Sequence, residues 1–522
     1  MKAKRILSLV CAAAAACTLY TPAAARSDTA GLPREDPVLY VMEQGLFLGD
    51  GEGRFLPDAP LTRAQAVTVL ARLAHVSGRD STHFSDVPEA AYYRKALGWA
   101  ADNHLITGVT DTRFAPDQPM THEELAALFC QYLRWLGRGD TWAASGQGTI
   151  TRAQAAADFA ALDQRLLQRD TSIRTHTASD GVTLTGKLDL PAGTEPVPRL
   201  VLFVNGSGPN TYDNRRQSGE LEFCYFDLFA EQLGARGAAF FRWNTRGVSV
   251  GQEPPMFDRI DEAVYQTYLP STSVSDIGEW IADLRREPRL KDAEIWLLGW
   301  SEGTILAPLA ARAYPDEISG LLLAGYCNDR MDEIFNWQQS GASSMLFYRQ
   351  YFDADGDGRI SPAEYAADPY GVVASVLGGT AFAEIDLDQD GYLTANDFGL
   401  LLAPGREAFY DAVARGDDQW LAENYSVRLT SGWFRAHQQL QPNRVTLPTL
   451  DLPIFIFHGT GDANCDVAGV RAIAQTFADL GRENLTVHIY EGYDHNLFYD
   501  LYPLYGTMSQ AFEDLFQTLA LS

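Results

Sequence analysis

The chain has 522 residues, with 68 Asp and Glu against 41 Lys and Arg and a formal net charge of −27. With 46% hydrophobic and 21% charged residues its composition is globular, and at ~100–200 residues per domain it holds two to four domains. The acidic balance argues against nucleic acid as a partner, whose phosphates need a basic stripe, and against docking on an anionic lipid surface.

In chain order, Lys2, Lys4 and Arg5 form a positive n-region, Ile6 to Leu19 an apolar stretch, and Ala23-Ala24-Ala25 a small-residue cleavage site. Residues 1–25 therefore read as a secretory signal peptide. A lipoprotein site at Cys17 is a weaker alternative, because no Leu or Val stands at the expected place before it. The stretch is short of the ~20 apolar residues a membrane span needs, and no other segment is long enough. No span is expected in the mature chain, which keeps Cys130, Cys224, Cys327 and Cys465. These are scattered with no CxxC pair, so buried free thiols are expected, not a disulfide framework or a zinc site.

Residues 26–170 contain an internal repeat. Arg54-Phe55-Leu56-Pro57-Asp58 followed by Leu61-Thr62-Arg63-Ala64-Gln65 recurs as Arg113-Phe114-Ala115-Pro116-Asp117 followed by Met120-Thr121-His122-Glu123-Glu124. Thr62 and Thr121 lie 59 residues apart, and Ile150-Thr151-Arg152-Ala153-Gln154 follows after 30 more. Each Thr is a candidate N-cap for an apolar helix that must stack on its neighbours to bury its stripe. Together with Phe84-Ser85-Asp86-Val87, Tyr93 and Trp99-Ala100, these residues resemble S-layer homology repeats, an all-α domain. In this reading the first copy lacks the opening Phe-x-Asp-Val and the third is truncated to little more than its helix. The resemblance implies grooves that bind secondary cell-wall polysaccharide, with Arg63 and Arg152 at the matching arginine positions and His122 departing from the pattern. The competing expectation for both arginines is an ordinary first-turn surface residue.

From residue 171 to 522, apolar strand-like runs alternate with helical stretches: 200–204, 238–243, 295–299, 321–324, 454–457 and 487–490. That alternation predicts an α/β fold with a mainly parallel sheet. Gly299-Trp300-Ser301-Glu302-Gly303 lies between a predicted strand and a predicted helix, the setting of a nucleophile elbow. Downstream, Asp462 follows an apolar strand and His495 sits in a loop after another, giving the order Ser, Asp, His. Asp466 and Asp494 are rivals for the acid, and His458 and His488 read as strand residues with buried, hydrogen-bonded roles. The oxyanion donors expected are the backbone N–H groups of Glu302 and of Ser207, in Val204-Asn205-Gly206-Ser207-Gly208-Pro209-Asn210. These motifs resemble the α/β-hydrolase superfamily, in particular its serine aminopeptidase-like and esterase members, over 173–327 and 448–522. Asn205 and Trp300 replace histidines of that pattern. The resemblance implies a serine hydrolase acting on carboxylic esters or peptides through an acyl-enzyme.

Residues 328–447 are not needed for the sheet and read as an inserted cap with 18 acids and 8 arginines. Asp353, Asp355, Asp357, Arg359 (through its carbonyl), Ser361 and Glu364 occupy the ligand places of a twelve-residue calcium loop over 353–364, with Gly356 at its turn. A second loop over 386–397 offers Asp386, Asp388, Asp390, Tyr392 (carbonyl), Thr394 and Asp397, an Asp where Glu is usual. Both resemble EF-hand loops and imply two calcium sites. Ile360 and Leu393 are expected to pair between them. A dockerin-like module is the runner-up, disfavoured by Glu364 and the mid-chain position. The combined expectation is a secreted, cell-wall-tethered esterase with a calcium-stabilised cap. The alternatives are a peptidase and a catalytically silent surface-layer or adhesion protein.

Overall fold

The computed structural model describes residues 28–519 except 30–31, 34–35, 51–53, 140, 194 and 220. The expected signal peptide, residues 1–25, lies outside the described residues. No helix among the described residues is long and apolar enough to cross a membrane.

The expected Thr residues start the repeat helices Arg63–Leu73, His122–Trp135 and Arg152–Leu167. Each closes a capping box with the Gln or Glu at the third helical position. The three copies close into a ring. Leu61 N donates to Ile150 O at 3.0 Å, Ile150 N to Met120 O at 3.0 Å, and Met120 N to Leu61 O at 2.8 Å. The truncated third copy thus supplies a full third of the ring. Asp86 accepts from the Phe114 and Ala115 amides at 2.8 Å each, and Asp28 accepts from Phe55 and Leu56 at 2.9 and 2.7 Å. The first copy therefore does have its acid. Phe and Val around Asp28 are missing, and of that motif only the carboxylate reaches the turn.

Arg63 and Arg152 are not surface residues, being only 6% and 7% exposed. Arg63 Nε donates to Phe114 O at 2.9 Å and its guanidinium lies 4.8 Å from the Phe114 ring centroid. Arg152 Nε donates to Phe55 O at 2.7 Å, with its guanidinium over the Phe47 and Phe55 rings. Each arginine pins the Phe-x-Pro turn of a neighbouring copy through its carbonyl and its aromatic face.

The C-terminal region carries twelve strands: β1 Arg169–Thr177, β2 Thr183–Pro191, β3 Arg199–Val204, β4 Arg215–Ser218, β5 Leu221–Cys224, β6 Ala239–Trp243, β7 Val248–Val250, β8 Asp258–Ile260, β9 Glu294–Trp300, β10 Ile318–Ala324, β11 Ile454–Gly459 and β12 Leu485–Tyr490. Eight of them form one sheet in the order β1-β2-β6-β3-β9-β10-β11-β12, while β4-β5 and β7-β8 are separate hairpins. Only β2 runs against the others. This is the mainly parallel α/β sheet expected from the strand–helix alternation.

Alternate residues of the central strands feed two cores, as the pleat requires. Phe203, Phe240 and Trp300 face the helices Asp227–Ala235 and Gln510–Thr518, and Leu202, Phe241 and Leu297 face Pro270–Leu284 and Gly303–Ala313. The first core runs on without a break into the repeat ring, through Trp99, Phe129 and Phe159. Polar contacts reinforce the junction: His75 Nδ1 lies 2.8 Å from Gly506 O, and Arg138 donates to Gly234 O at 2.5 Å. The insert between β10 and β11 is helical, from Met331–Gln339 to Asn443–Thr446, and has one core of its own and a second shared with Val248, Tyr265, Tyr268 and Ile305.

Candidate active site

Ser301 follows β9 and precedes the helix Gly303–Ala313 with a left-handed φ of 55°. A non-glycine residue in that region is strained and persists only where its surroundings impose it. Here they do: Ser301 N donates to Ala324 O at 3.0 Å. The flanking glycines have no room for a side chain. A Cβ on Gly299 would meet Gly303 O at 2.3 Å, and one on Gly303 would meet Val204 O at 2.0 Å.

His495 lies just past β12 and Asp462 just past β11. His495 Nδ1 is 2.8 Å from Asp462 Oδ2. The other carboxylate oxygen, Oδ1, accepts from the Asn464 and Cys465 amides at 2.8 and 2.9 Å. Burial alone would raise the Asp462 carboxyl, but His495, His458 and the amide bonds outweigh it and hold it below the usual carboxylate range. Burial would likewise lower His495, and Asp462 outweighs it and pushes the imidazole above its ordinary value. Trp300 Nε1 donates to His495 O at 3.3 Å, tying the histidine loop back to the elbow. Ser301 and His495 line one cavity of about 340 Å³, roofed by Met331 and Phe335 of the insert.

The rivals have other work. Asp466 caps the helix Val467–Asp479 through the Ala468 amide at 2.9 Å. His458 is fully buried, accepts from Tyr326 N at 3.0 Å on Nδ1 and donates from Nε2 to Cys465 O at 3.1 Å. His488 stacks on Phe457 at 4.9 Å.

The Ser207 and Glu302 amides donate to no acceptor among the described residues. Gly206 brings the loop against the serine: a Cβ there would lie 3.2 Å from Ser301 Cβ. Asn210 holds the loop open by donating to Gly206 O and Gly208 O at 3.0 and 3.1 Å.

Sequence reasoning assigned Glu302 only its backbone. Its side chain is wholly buried and accepts from Tyr268 Oη at 2.6 Å, Trp433 Nε1 at 2.9 Å and His437 Nε2 at 2.8 Å. Two of the three donors belong to the insert, so this carboxyl joins elbow to cap. Cys327 and Cys465, 138 residues apart, are brought to 3.4 Å between their sulfurs beside the site. All four described cysteines are free thiols. Widely spaced thiols give no sequence signal of such a meeting.

In the insert, carboxylates of Asp353, Asp355 and Glu364 gather within 4.8 Å of one another, as do those of Asp386, Asp388 and Asp397. Ile360 and Leu393 pair as expected, with N–H···O distances of 3.1 and 2.8 Å. Glu364 and Asp397 reach back identically, accepting from the Ser361 and Thr394 amides at 2.8 and 2.9 Å. Asp397, though one methylene shorter, thus occupies the same place in its loop. Asp386 Oδ1 is buried with no hydrogen-bond partner, an orphan that a hard cation would satisfy. Gly356 and Gly391 take the left-handed turn at φ 76° and 88°. Asp357 instead pairs with Arg359 at 2.9 Å, Asp390 accepts from Tyr392 N at 2.9 Å, and Ser361 and Thr394 cap the helices that follow. The donor sets fit calcium.

Residues 27–67 and 83–126 match the S-layer homology domain, and 350–367 and 380–402 match the EF hand. The "Surface-layer 125 kDa protein" of Lysinibacillus sphaericus is 28% identical over 106 residues, covering 20% of this chain and 9% of that protein. The "Cellulosome-anchoring protein" of Acetivibrio thermocellus is 28% identical over 107 residues, covering 20% of this chain and 23% of that protein. The chain therefore spans under a quarter of the length of these relatives. Among solved structures, an esterase from Exiguobacterium antarcticum aligns at 17% identity and a TM-score of 0.34, covering 66% of this chain and 97% of that one. A carboxyl esterase from Bacillus coagulans aligns at 12% and 0.39, covering 68% and 97%, and a Pyrococcus horikoshii acylaminoacyl peptidase at 14% and 0.36, covering 65% and 40%. S-layer homology segments, EF-hand segments and a mainly parallel eight-stranded sheet occur together in this one chain.

Proposed function

We propose that the protein is a cell-surface serine hydrolase that cleaves carboxylic esters, held to secondary cell-wall polysaccharide by its repeat ring and stabilised by calcium in its cap. The observation that carries the catalytic reading is the His495–Asp462 pair facing the cavity of a strained Ser301. Because Nδ1 of His495 donates to the carboxylate, Nε2 is the bare nitrogen, the one able to take a proton. Nε2 removes the Ser301 proton as Oγ attacks the ester carbonyl, and Asp462 stabilises the imidazolium that forms. The Ser207 and Glu302 amides receive the developing oxyanion. His495 then protonates the leaving alcohol, and a water activated by the same nitrogen releases the acid.

Calcium, when bound, supplies charge neutralisation to the two acidic clusters. Asp353, Asp355 and Glu364 would hold one ion and Asp386, Asp388 and Asp397 the other, with the Arg359 and Tyr392 carbonyls and the side chains of Asp357, Ser361, Asp390 and Thr394 as further oxygen donors. The surface-layer and anchoring relatives support wall attachment. In the ring, Arg63 and Arg152 shape the grooves through the turns they pin. Ser301→Ala is expected to abolish hydrolysis of p-nitrophenyl butyrate while leaving the melting temperature unchanged. Hydrolysis at the wild-type rate in that variant would remove Ser301 from the role.

A further inference from the structure

The hairpin β4–β5 follows the oxyanion loop directly and places Arg215 and Arg216 on opposite faces of one strand. Arg215 has its acid: Nε donates to Glu222 Oε1 at 2.6 Å, and its guanidinium sits 4.2 Å over the Phe257 ring. Arg216 has none. It is partly buried and lines the same cavity as Ser301 and His495. Its one hydrogen bond runs from Nε to Asn214 Oδ1 at 3.1 Å, and its guanidinium lies 6.0 Å from the Tyr225 ring centroid. Among the described residues no carboxylate comes within ion-pair reach of it, and its two terminal nitrogens have no acceptor.

The chain has 68 acids for 41 bases, so a partner was not in short supply. Asp500 lines the same cavity and Asp258 stands nearby, yet both stay beyond bonding distance. Burial draws the guanidinium below its ordinary value, and Tyr225, Tyr499, Asp500 and Asp258 act against that. An arginine nonetheless keeps its charge in such a setting. Leaving a charged fork partly desolvated and unpaired is costly unless something else pairs with it. The planar guanidinium offers two parallel N–H groups that match a carboxylate or a phosphate.

We propose that Arg216 selects substrates bearing a compact anionic group, a carboxylate or phosphate, on the acyl or alcohol side of the ester cleaved at Ser301. This rests on the serine-hydrolase reading and narrows it. An anion entering the cavity completes the pairing that the folded chain withholds. A neutral ester leaves the guanidinium unpaired and buried more deeply.

The test compares kcat/KM for matched esters in the full-length protein. On the acyl side, p-nitrophenyl hemisuccinate and hemiglutarate are set against their methyl esters. On the alcohol side, the butyrate esters of 4-hydroxybenzoate and 4-hydroxyphenyl phosphate are set against those of methyl 4-hydroxybenzoate and phenol. Wild type should favour the charged member of at least one pair by about tenfold or more, equivalent to about 1.4 kcal/mol, and added salt should erode the preference. Arg216→Gln should collapse that ratio toward unity, and Arg216→Lys, which keeps the charge but not the fork, should fall between. The wild-type ratio is informative even if a variant misfolds. Hydrolysis of the neutral esters with no preference for charge in any pair overturns this inference alone. The same ratio in wild type and Arg216→Gln overturns it too. Failure to hydrolyse any of the esters, together with no labelling of Ser301, overturns the hydrolase reading and this inference with it.

Discussion

Glu302 provides a demanding test, because one carboxyl joins the nucleophile turn to the cap. Its Oε1 accepts from Trp433 and His437 and its Oε2 from Tyr268, all in a fully buried setting. Glu302→Ala removes every acceptor at once and leaves three buried donors unpaired. At ~1–3 kcal/mol for each orphaned group, the loss is on the order of 3–9 kcal/mol, a large part of the ~5–15 kcal/mol that holds a domain folded. Glu302→Gln keeps one oxygen for Trp433 and His437, and its amide NH2 can donate to Tyr268 once that hydroxyl rotates. Its cost should be about 1 kcal/mol. Urea unfolding followed by tryptophan fluorescence reads both, since Trp433 and Trp300 lie on either side of the junction. The expected order is wild type, then Gln slightly weaker, then Ala strongly weaker or unrecoverable. Limited proteolysis of Glu302→Ala should cut first within 328–447, where the cap is released. An Ala variant within about 1 kcal/mol of wild type would refute the view that this network carries the junction.

Other expectations follow from the same geometry. Asp462→Asn removes the group that raises His495, so the acid limb of the kcat/KM profile should move to lower pH while kcat falls by up to about 10⁴-fold; an unmoved limb contradicts the pairing. Chelation should lower the melting temperature and calcium restore it, by about 2.7 kcal/mol per site once the ion exceeds its Kd 100-fold, and Asp397→Asn should weaken the response; a melt indifferent to calcium contradicts the loop assignment. Glu513 packs at the junction of ring and sheet, where burial pushes its carboxyl from 4.5 to about 7. Its folded value lies above its unfolded one, so the folded form holds the proton more tightly. Its contribution is fully present below 4.5 and is lost as pH rises through about 7, roughly 3 kcal/mol in all. Glu513→Gln should therefore raise stability at pH 8 relative to wild type and not at pH 4, as thermal melts at the two values would reveal.

Much of the fold was legible because it is written in short-range signals. The six apolar runs became β3, β6, β9, β10, β11 and β12; the first five are buried on both faces and read as continuous hydrophobic stretches, while β12 is a half-buried edge strand. The hairpin β1–β2 was not foreseen: β1 lies at the sheet edge and alternates half-buried with exposed positions, so it carries little apolar signal. Ser301, Asp462 and His495 could be chosen because each sits at a strand end beside glycines. What the sequence could not disclose is what lies across space. Arg63 and Arg152 look like exposed first-turn residues until the ring closes over them. Glu302 offers the sequence only a backbone amide beside the nucleophile until Trp433 and His437 arrive from the insert. Asp28 stands in too little context to be read as the counterpart of Asp86 in the first copy. The meetings of Cys327 with Cys465 and of Arg216 with the cavity depend on chain segments that share no local pattern.

The central claim is that Ser301 is an activated nucleophile, and covalent labelling tests it most directly. The full-length protein treated with a fluorophosphonate, digested and analysed by mass spectrometry should carry one adduct, on the peptide containing Ser301. His495→Ala should label far more slowly. No adduct at Ser301 in protein that is folded by its thermal melt, or an adduct whose rate is indifferent to His495, would contradict the account.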